Sequence, residues 1–292
     1  MRLSISLGFL LVAAQGIASV VATKKNIIWD GRPSIRAKPS DFDDDKKSLY
    51  NTGWNKGINQ TWSDIVSFPL TLGSLNDVPL KHKPFEVSIN DNSIFMGQQW
   101  GFRRSELMPN VNNASDATVQ DTTTIHLSFK ADPRKPLNYT HLYDIIFVET
   151  STYDAHVWSI KTGLAYDGSS PPKKKQFLRL YGYKDWSRPD GMDLLFETPF
   201  DGKSWHNFAV TTSWGKKAGE GTIEAKYSKG YWPLKKVVKK TANNADRGGQ
   251  YHIGVFKHPT GDTSDVANKG YQAKGINEGL IFGGVFIEKN KK

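Results

Sequence analysis

The 292-residue chain carries 39 Lys and Arg against 29 Asp and Glu, a formal charge of +10, and no cysteine. The missing cysteine excludes thiol redox chemistry, disulfide staples and cysteine-ligated metals, so the fold must rest on a core drawn from the 38% of residues that are apolar, among them nine Trp, eleven Tyr and fifteen Phe. The lysines fall in scattered groups such as KKK at 173–175 and KKVVKK at 235–240, with no Gly-rich phosphate loop, zinc knuckle or aromatic RNA-binding motif, which argues against a nucleic-acid reader and for a solvated cationic surface suited to anionic wall material.

The chain opens with Arg2, the apolar run ISLGFLLVAA and small residues ending at Ala22, the layout of a secretory signal peptide. We expect residues 1–22 to be removed, leaving 23–292 as a single domain that is secreted, extracellular and free of the membrane; the apolar run is shorter than the roughly 20 residues that span a bilayer. Asn59, Asn113 and Asn138 stand in N-x-S/T sequons and are expected at exposed loop positions able to carry glycans.

A short helix is expected around Trp62 to Ile65. From there period-2 alternation dominates, in FEVSIND (85–91), TIHLSFKAD (124–132), LYDIIFVETS (142–151), HVWSIKTG (156–163), QFLRLYGY (176–183), WHNFAVTTSW (205–214), TIEAKYS (222–228), QYHIGVFK (250–257) and LIFGGVFIE (280–288). These segments read as strands, and clusters such as ADPRKP, SRPDG, PFDGKS and HPTGD as the turns between them. The basic stretch SSPPKKK at 169–175 reads as a surface loop and not a linker. Many short strands without a repeat predict an all-β, two-sheet antiparallel β-sandwich of jelly-roll type with an open concave groove, and argue against a propeller.

Alternation in FRRSEL places Phe102, Arg104 and Glu106 on one strand face. Taken alone, that pattern fits an ion pair on a solvent-exposed sheet. In YDIIFVET the same rule puts Tyr143, Ile145, Phe147 and Glu149 together, an acid at the end of an apolar strand. Two carboxyl groups across a sugar linkage can cleave it, their separation deciding the stereochemistry. Glu106 and Glu149 are candidates for such a pair, with Glu197, Asp201 and Glu278 as alternatives. His156, His206, His252 and Lys161 offer groups for hydroxyl binding or proton relay, and Trp100, Trp158 and Trp186 offer rings for sugar stacking. No H-E-x-x-H metal motif and no G-x-S-x-G elbow is present.

Taken together and in order, IIWDGR, FEVSINDNSIF, GFRRSELMP, IIFVET, FETPFDGKSWHNFAVT, GQYHIGVFKHPTG and GINEGLIFGGVFIE resemble glycoside hydrolase family 131, a group of secreted fungal β-glucanases. The resemblance implies a β-jelly-roll that cleaves β-1,3-, β-1,6- and β-1,4-linked glucans by inversion, with a β-glucan as partner and no cofactor or metal. It implies Glu106 and Glu149 as the catalytic carboxylates, Glu149 the general base and Glu106 the general acid or the reverse. Arg104 and Lys161 become groove residues by likeness to jelly-roll polysaccharide lyases, with His156, His252 and Trp100 beside them. A monomer is expected. The alternatives are a non-catalytic β-glucan-binding wall or effector protein using the same groove, and a lyase acting on an acidic sugar.

Overall fold

The computed structural model describes residues 26–165, 172–184, 192–262 and 264–290. The signal segment 1–22 with its cleavage point near Thr23, Trp186, and residues 169–171 of the basic loop lie outside these.

Among the described residues the strands in chain order are β1 (Ile27–Asp30), β2 (Val66–Ser67), β3 (Phe85–Asn90), β4 (Arg103–Leu107) and β5 (Thr122–Ala131). There follow β6 (Leu142–Glu149), β7 (His156–Gly163), β8 (Phe177–Tyr183), β9 (Met192–Pro199) and β10 (His206–Trp214). The last are β11 (Gly221–Lys229), β12 (Lys235–Ala242), β13 (Gln250–Lys257) and β14 (Asn277–Lys289). The expected short helix is present as α1 (Trp62–Ile65), its first amides accepted by the Asp43 carboxylate at 2.6 and 3.0 Å.

Two open antiparallel sheets result. The eight-stranded sheet runs β12-β11-β10-β5-β14-β3-β2 with β1 against β14, and the six-stranded sheet runs β4-β13-β6-β7-β8-β9. This is the expected all-β jelly-roll sandwich. Between the sheets lies one continuous core that includes Trp29, Trp62, Phe85, Phe129, Phe208 and Phe282 from the larger sheet's side and Tyr143, Ile146, Trp158 and Ile253 from the smaller.

Two expected faces are rearranged by irregularities in pairing. Register shifts between Asp144 and Ile146 against both β7 and β13, and Ile145 and Ile146 both enter the core. Alternation therefore reverses within β6, because an extra residue in a ladder flips every side chain beyond it. Tyr143 and Ile145, expected beside Glu149, are core residues, and Asp144 takes the outer face with Phe147 and Glu149. A second shift between Val148 and Glu149, opposite Val157, buries Val157 and Trp158 together and leaves His156 on the same outer face as Lys161.

The strands that alternation did not disclose include β9 and β12, and both are sheet edges. An edge strand buries less and so carries a weaker apolar rhythm; β12 instead reads KKVVKKTA, the lysine-rich composition that discourages edge-to-edge pairing. The other edge of the small sheet, β4, is covered. Residues 49–57 run along it, with Glu106 N donating to Asn55 O at 2.9 Å and Asn51 N to Met108 O at 2.8 Å, which is why Glu106 is buried and not on an exposed sheet face.

On its other side β4 meets Gly254 of β13. A Cβ there would stand 2.1 Å from Ser105 O and 2.9 Å from Glu106 Cα, so only glycine lets the two strands close. Gly254→Val should cost about 2 kcal/mol through overpacking, lowering the melting temperature by about 5 °C, and should weaken the pairing that carries Arg104 and Glu106. Calorimetry of the variant checks this; an unchanged melting temperature would show that β4 moves aside at no cost.

Candidate active site

The outer face of the six-stranded sheet carries a row of charged and aromatic side chains across β4, β13, β6 and β7. Arg104 and Glu106 project together as alternation predicts, in a bidentate pair with Nε to Oε1 and Nη2 to Oε2 both at 2.7 Å. Glu106 is 1% exposed. Its Oε2 also lies 2.9 Å from His252 Nδ1, and His252 Nε2 lies 3.4 Å from Glu149 Oε2. One imidazole therefore stands between the two glutamates. Glu149 is the more open of the pair, its side chain 26% exposed.

Burial alone would drive each of these groups toward its neutral form. For Glu106 that effect is outweighed by Arg104 and His252, and the carboxyl is held below its ordinary range. Burial likewise opposes charge on His252, but Glu106 and Glu149 prevail and raise it, pushing the ring between them toward its charged form. Arg104 is raised against its own burial, chiefly by Glu106, and Glu149 is lowered against burial, chiefly by His252.

Asp144, brought to this face by the reversal in β6, anchors a second cluster. Its Oδ2 is 2.7 Å from His258 Nε2 and its Oδ1 is 3.1 Å from Lys161 Nζ. Despite burial, Lys161 and His258 hold this acid far below the usual carboxylate range. His156 is pushed the opposite way to His252, down to about 4, by burial and the charge of Lys161.

Stacking fixes the rings. Phe147 lies between His156 and His252, with centroids 4.4 Å from each and interplanar angles of 22° and 11°. Phe256 carries His258 on one side at 4.5 Å and the Arg104 guanidinium at 4.2 Å. Since neighbouring strands present these residues side by side, the planes of the imidazoles are set by the sheet itself.

The structure thus brings together Glu106, Glu149, Arg104, His252, His156 and Lys161. Trp100 is 61% exposed on the loop before β4, next to Gln99, whose Oε1 accepts from Arg104 Nη1 at 3.1 Å; it stands at the rim. The other candidates lie elsewhere. Glu197 is on the edge strand β9, paired with Lys174. Asp201 pairs with Lys229 at 2.5 Å and His206 sits beside it on β10 of the larger sheet. Glu278 is buried, bonded to Lys257 at 2.7 Å and to the Tyr143 hydroxyl at 2.6 Å. Trp158 belongs to the core, its indole N–H donating to Thr212 Oγ1 at 3.2 Å.

Asp144, His258 and Asn55 were not singled out by sequence. An Asp inside the apolar run LYDIIFVE was the available signal, since a charge there is costly unless paired. Asn55 gave none: it reaches the site, 3.1 Å from His252 Nδ1, from a loop position with φ of 61°. Among the described residues no group of three or more His, Asp or Glu is placed to hold a metal ion. The sequon residues Asn59, Asn113 and Asn138 are all exposed, as expected.

The site is an open jelly-roll sheet face that carries paired carboxylates with an imidazole between them and cations alongside. The model of the glycoside hydrolase 131 catalytic N-terminal domain matches residues 27–292, and the chain belongs to that family of glycoside hydrolases. The catalytic domain of the family 131 protein from Coprinopsis cinerea superposes with a TM-score of 0.66 at 20% identity, covering 91% of this chain and 96% of that one. The family 131 β-glucanase catalytic domain from Podospora anserina gives 0.68 at 20% identity, covering 91% and 97%. At that identity the likeness bears on the fold. No curated protein matches the chain in a sequence comparison.

The raised His252 makes stability depend on pH. A cation held between Glu106 and Glu149 contributes fully below the unfolded histidine value of about 6.5 and is lost as pH rises through the higher folded value. Wild type should therefore exceed His252→Gln in stability by a margin that is largest near pH 6 and shrinks on the alkaline side. Urea unfolding across pH measures it, and a margin that grows with pH would show that the ring is neutral in the folded protein.

Proposed function

We propose that this glycoside hydrolase cleaves β-glucans, with β-1,3, β-1,6 and β-1,4 linkages as candidates, at the outer face of the six-stranded sheet, and that Glu149 and Glu106 are its two carboxylates. The observation that carries the reading is the buried imidazole joining them. In an inverting reaction the base takes a proton from the attacking water while the acid gives one to the leaving oxygen, so a proton must return from base to acid after each turnover. The chain Glu149–His252–Glu106 offers that path: a ring protonated at Nδ1 accepts the Glu149 proton at Nε2, and the imidazolium so formed passes its Nδ1 proton to Glu106, leaving a neutral ring protonated at Nε2 whose tautomer resets by proton exchange with water. The contacts of 2.9 and 3.4 Å on either side of the ring favour a spacing nearer the roughly 6.5–9.5 Å of inverting pairs than the 5–5.5 Å of retaining ones. Glu149, the more open, is the base that meets water, and Glu106 the acid; the β-glucanase relative from Podospora anserina supports the substrate class.

Lys161, held by Asp144, and His156, kept neutral, line the same face and are suited to sugar hydroxyls; Trp100 and Trp54, both exposed at the rim, are suited to pyranose faces. The signal-peptide pattern of residues 1–22 supports secretion of this activity.

Incubation with laminarin and cellulose oligosaccharides, followed by product chromatography, tests the reading. Glu149→Gln and Glu106→Gln should each lose at least about a hundredfold in rate, the lower range for a positioned acid or base, and early products should carry the inverted anomer by NMR. Release by either variant at the wild-type rate would end the assignment.

The pH profile separates the two glutamates. Turnover needs Glu106 protonated, and Arg104 opposes that, so activity should fall as pH rises. Arg104→Gln should raise the Glu106 pKa and move this alkaline limb to higher pH. A limb that stays in place, or moves down, would show that a different group supplies the proton.

A further inference from the structure

The opposite side of the molecule holds a second cleft. On the outer face of the eight-stranded sheet, an open cleft of about 660 Å³ is floored by β5, β10 and β11 and flanked by loops, within the range of about 300–1,000 Å³ typical of small-ligand sites. Its floor is a ladder of hydroxyls. Thr124 and Thr211 bond across β5 and β10 at 2.7 Å, Thr122 and Ser213 at 3.1 Å, and Asn290 Oδ1 accepts from Thr124 at 2.9 Å.

A sheet face turned to solvent normally exposes such groups, yet Thr124, His126 and Ala209 are buried here. Loops make the difference. The turn after β11 leans over the sheet, and the Tyr231 hydroxyl donates to Gly73 O at 3.0 Å, tying it to the segment before β3. That bond pins an aromatic ring which remains 44% exposed, beside Trp232, which is 76% exposed. A fixed, exposed ring next to a row of hydroxyls matches a pyranose chain, whose ring faces are apolar and whose edges are hydrogen-bonding groups.

Both carboxylates lining the cleft have partners, Glu288 with His126 at 2.9 Å and Glu224 with Lys236 at 2.9 Å, and Lys226, Lys240 and Lys289 line it as further donors. His126 is in turn held flat against Phe286, centroids 4.5 Å apart, with the Arg32 guanidinium 4.4 Å from that ring. A cleft with partnered acids, lysine donors and a hydroxylated floor suits the hydroxyl-rich edges of a sugar chain.

We propose that this cleft is a second binding site for a glucan segment, separate from the carboxylates, which keeps the enzyme on polymeric substrate. The choice of glucan rests on the proposed function; the cleft itself does not. The two faces are separated by the core, so one chain cannot cross directly between them, and the site acts as an anchor to neighbouring polymer.

The test uses Thr211→Trp, which fills the floor, and Tyr231→Ala, which removes the exposed ring. Each should retain wild-type rates on a soluble trisaccharide and bind insoluble β-glucan about tenfold more weakly, because simultaneous engagement of two sites is lost. Calorimetric titration of Glu149→Gln with β-1,3- and β-1,4-linked glucan hexasaccharides should give two sites, and one after addition of Thr211→Trp. Amide exchange supplies a readout independent of hydrolysis: hexasaccharide should protect residues 122–126 and 209–213 even if wild type releases no sugar. Unchanged retention on insoluble glucan in both variants, or no protection in those two strands, overturns the proposal.

Discussion

The salt bridge between Arg104 and Glu106 lies almost wholly out of water, and the outer face of the small sheet is organised around it. Removing two charges from solvent costs several kcal/mol per ion even after relaxation, and their attraction repays this only when the geometry is good and the remaining lone pairs are filled. Here both oxygens of Glu106 are taken, one by Arg104 Nε and the other by Arg104 Nη2 and His252. Phe256 and Phe95 lie against the guanidinium, 4.2 and 5.2 Å from its carbon. An apolar pair of the same volume would serve stability as well, so such a costly arrangement on an edge strand is better explained by what it does to its neighbour. Arg104 keeps Glu106 ionised, and Glu106 together with Glu149 pushes His252 toward its charged form.

The cover over β4 follows from the same constraint. Without residues 49–57 along its outer side, the edge would offer its unpaired groups to other chains, and water would reach Glu106 and screen the pair. The segment is itself anchored, Tyr50 donating to Gly31 O at 2.7 Å and Trp62 to Thr52 O at 3.1 Å. Gly254 completes the fit from the other side. Packing around the ion pair thus draws on chain positions from 31 to 254, which is why no single motif in the sequence contains the site.

That distribution sets what could be read beforehand. The motif FRRSEL was legible because β4 alternates without interruption, so Arg104 and Glu106 fell on one face as the two-residue period requires. The strand LYDIIFVE was legible as a strand but not in its facing: one extra residue near Ile145 exchanged Tyr143 for Asp144 on the outer side. The same holds for HVWSIKTG, where the shift at Val157 left His156 outward and moved Trp158 inward. Pairing partners decide where a ladder slips, and while β7 follows β6 directly, the other partner of β6, β13, lies about a hundred residues away. Edge strands such as β12 were hidden for a separate reason, their lysines obscuring the apolar rhythm. The contribution of Asn55, made through a loop residue in the left-handed region, has no periodic signature at all.

The reversal in β6 has a chemical consequence beyond placing one acid. With Asp144 outward, Lys161 gains a buried counter-ion and stays close to His156, and its charge helps to keep that imidazole neutral. Two glutamates on the other side of Phe147 do the opposite to His252. Two histidines stacked on one phenyl ring are therefore pushed in opposite directions, His252 toward its charged form and His156 toward its neutral one, by neighbours that the strand irregularities select. Environments that drive like groups apart in pKa are a means by which a fold divides acid from base work. In the proposed reaction His252 carries the returning proton while the neutral ring is free to accept a hydrogen bond from a sugar hydroxyl. Had β6 kept its alternation, Tyr143 would stand where Asp144 does, Lys161 would lack its partner, and the division between the two rings would lose one of its supports.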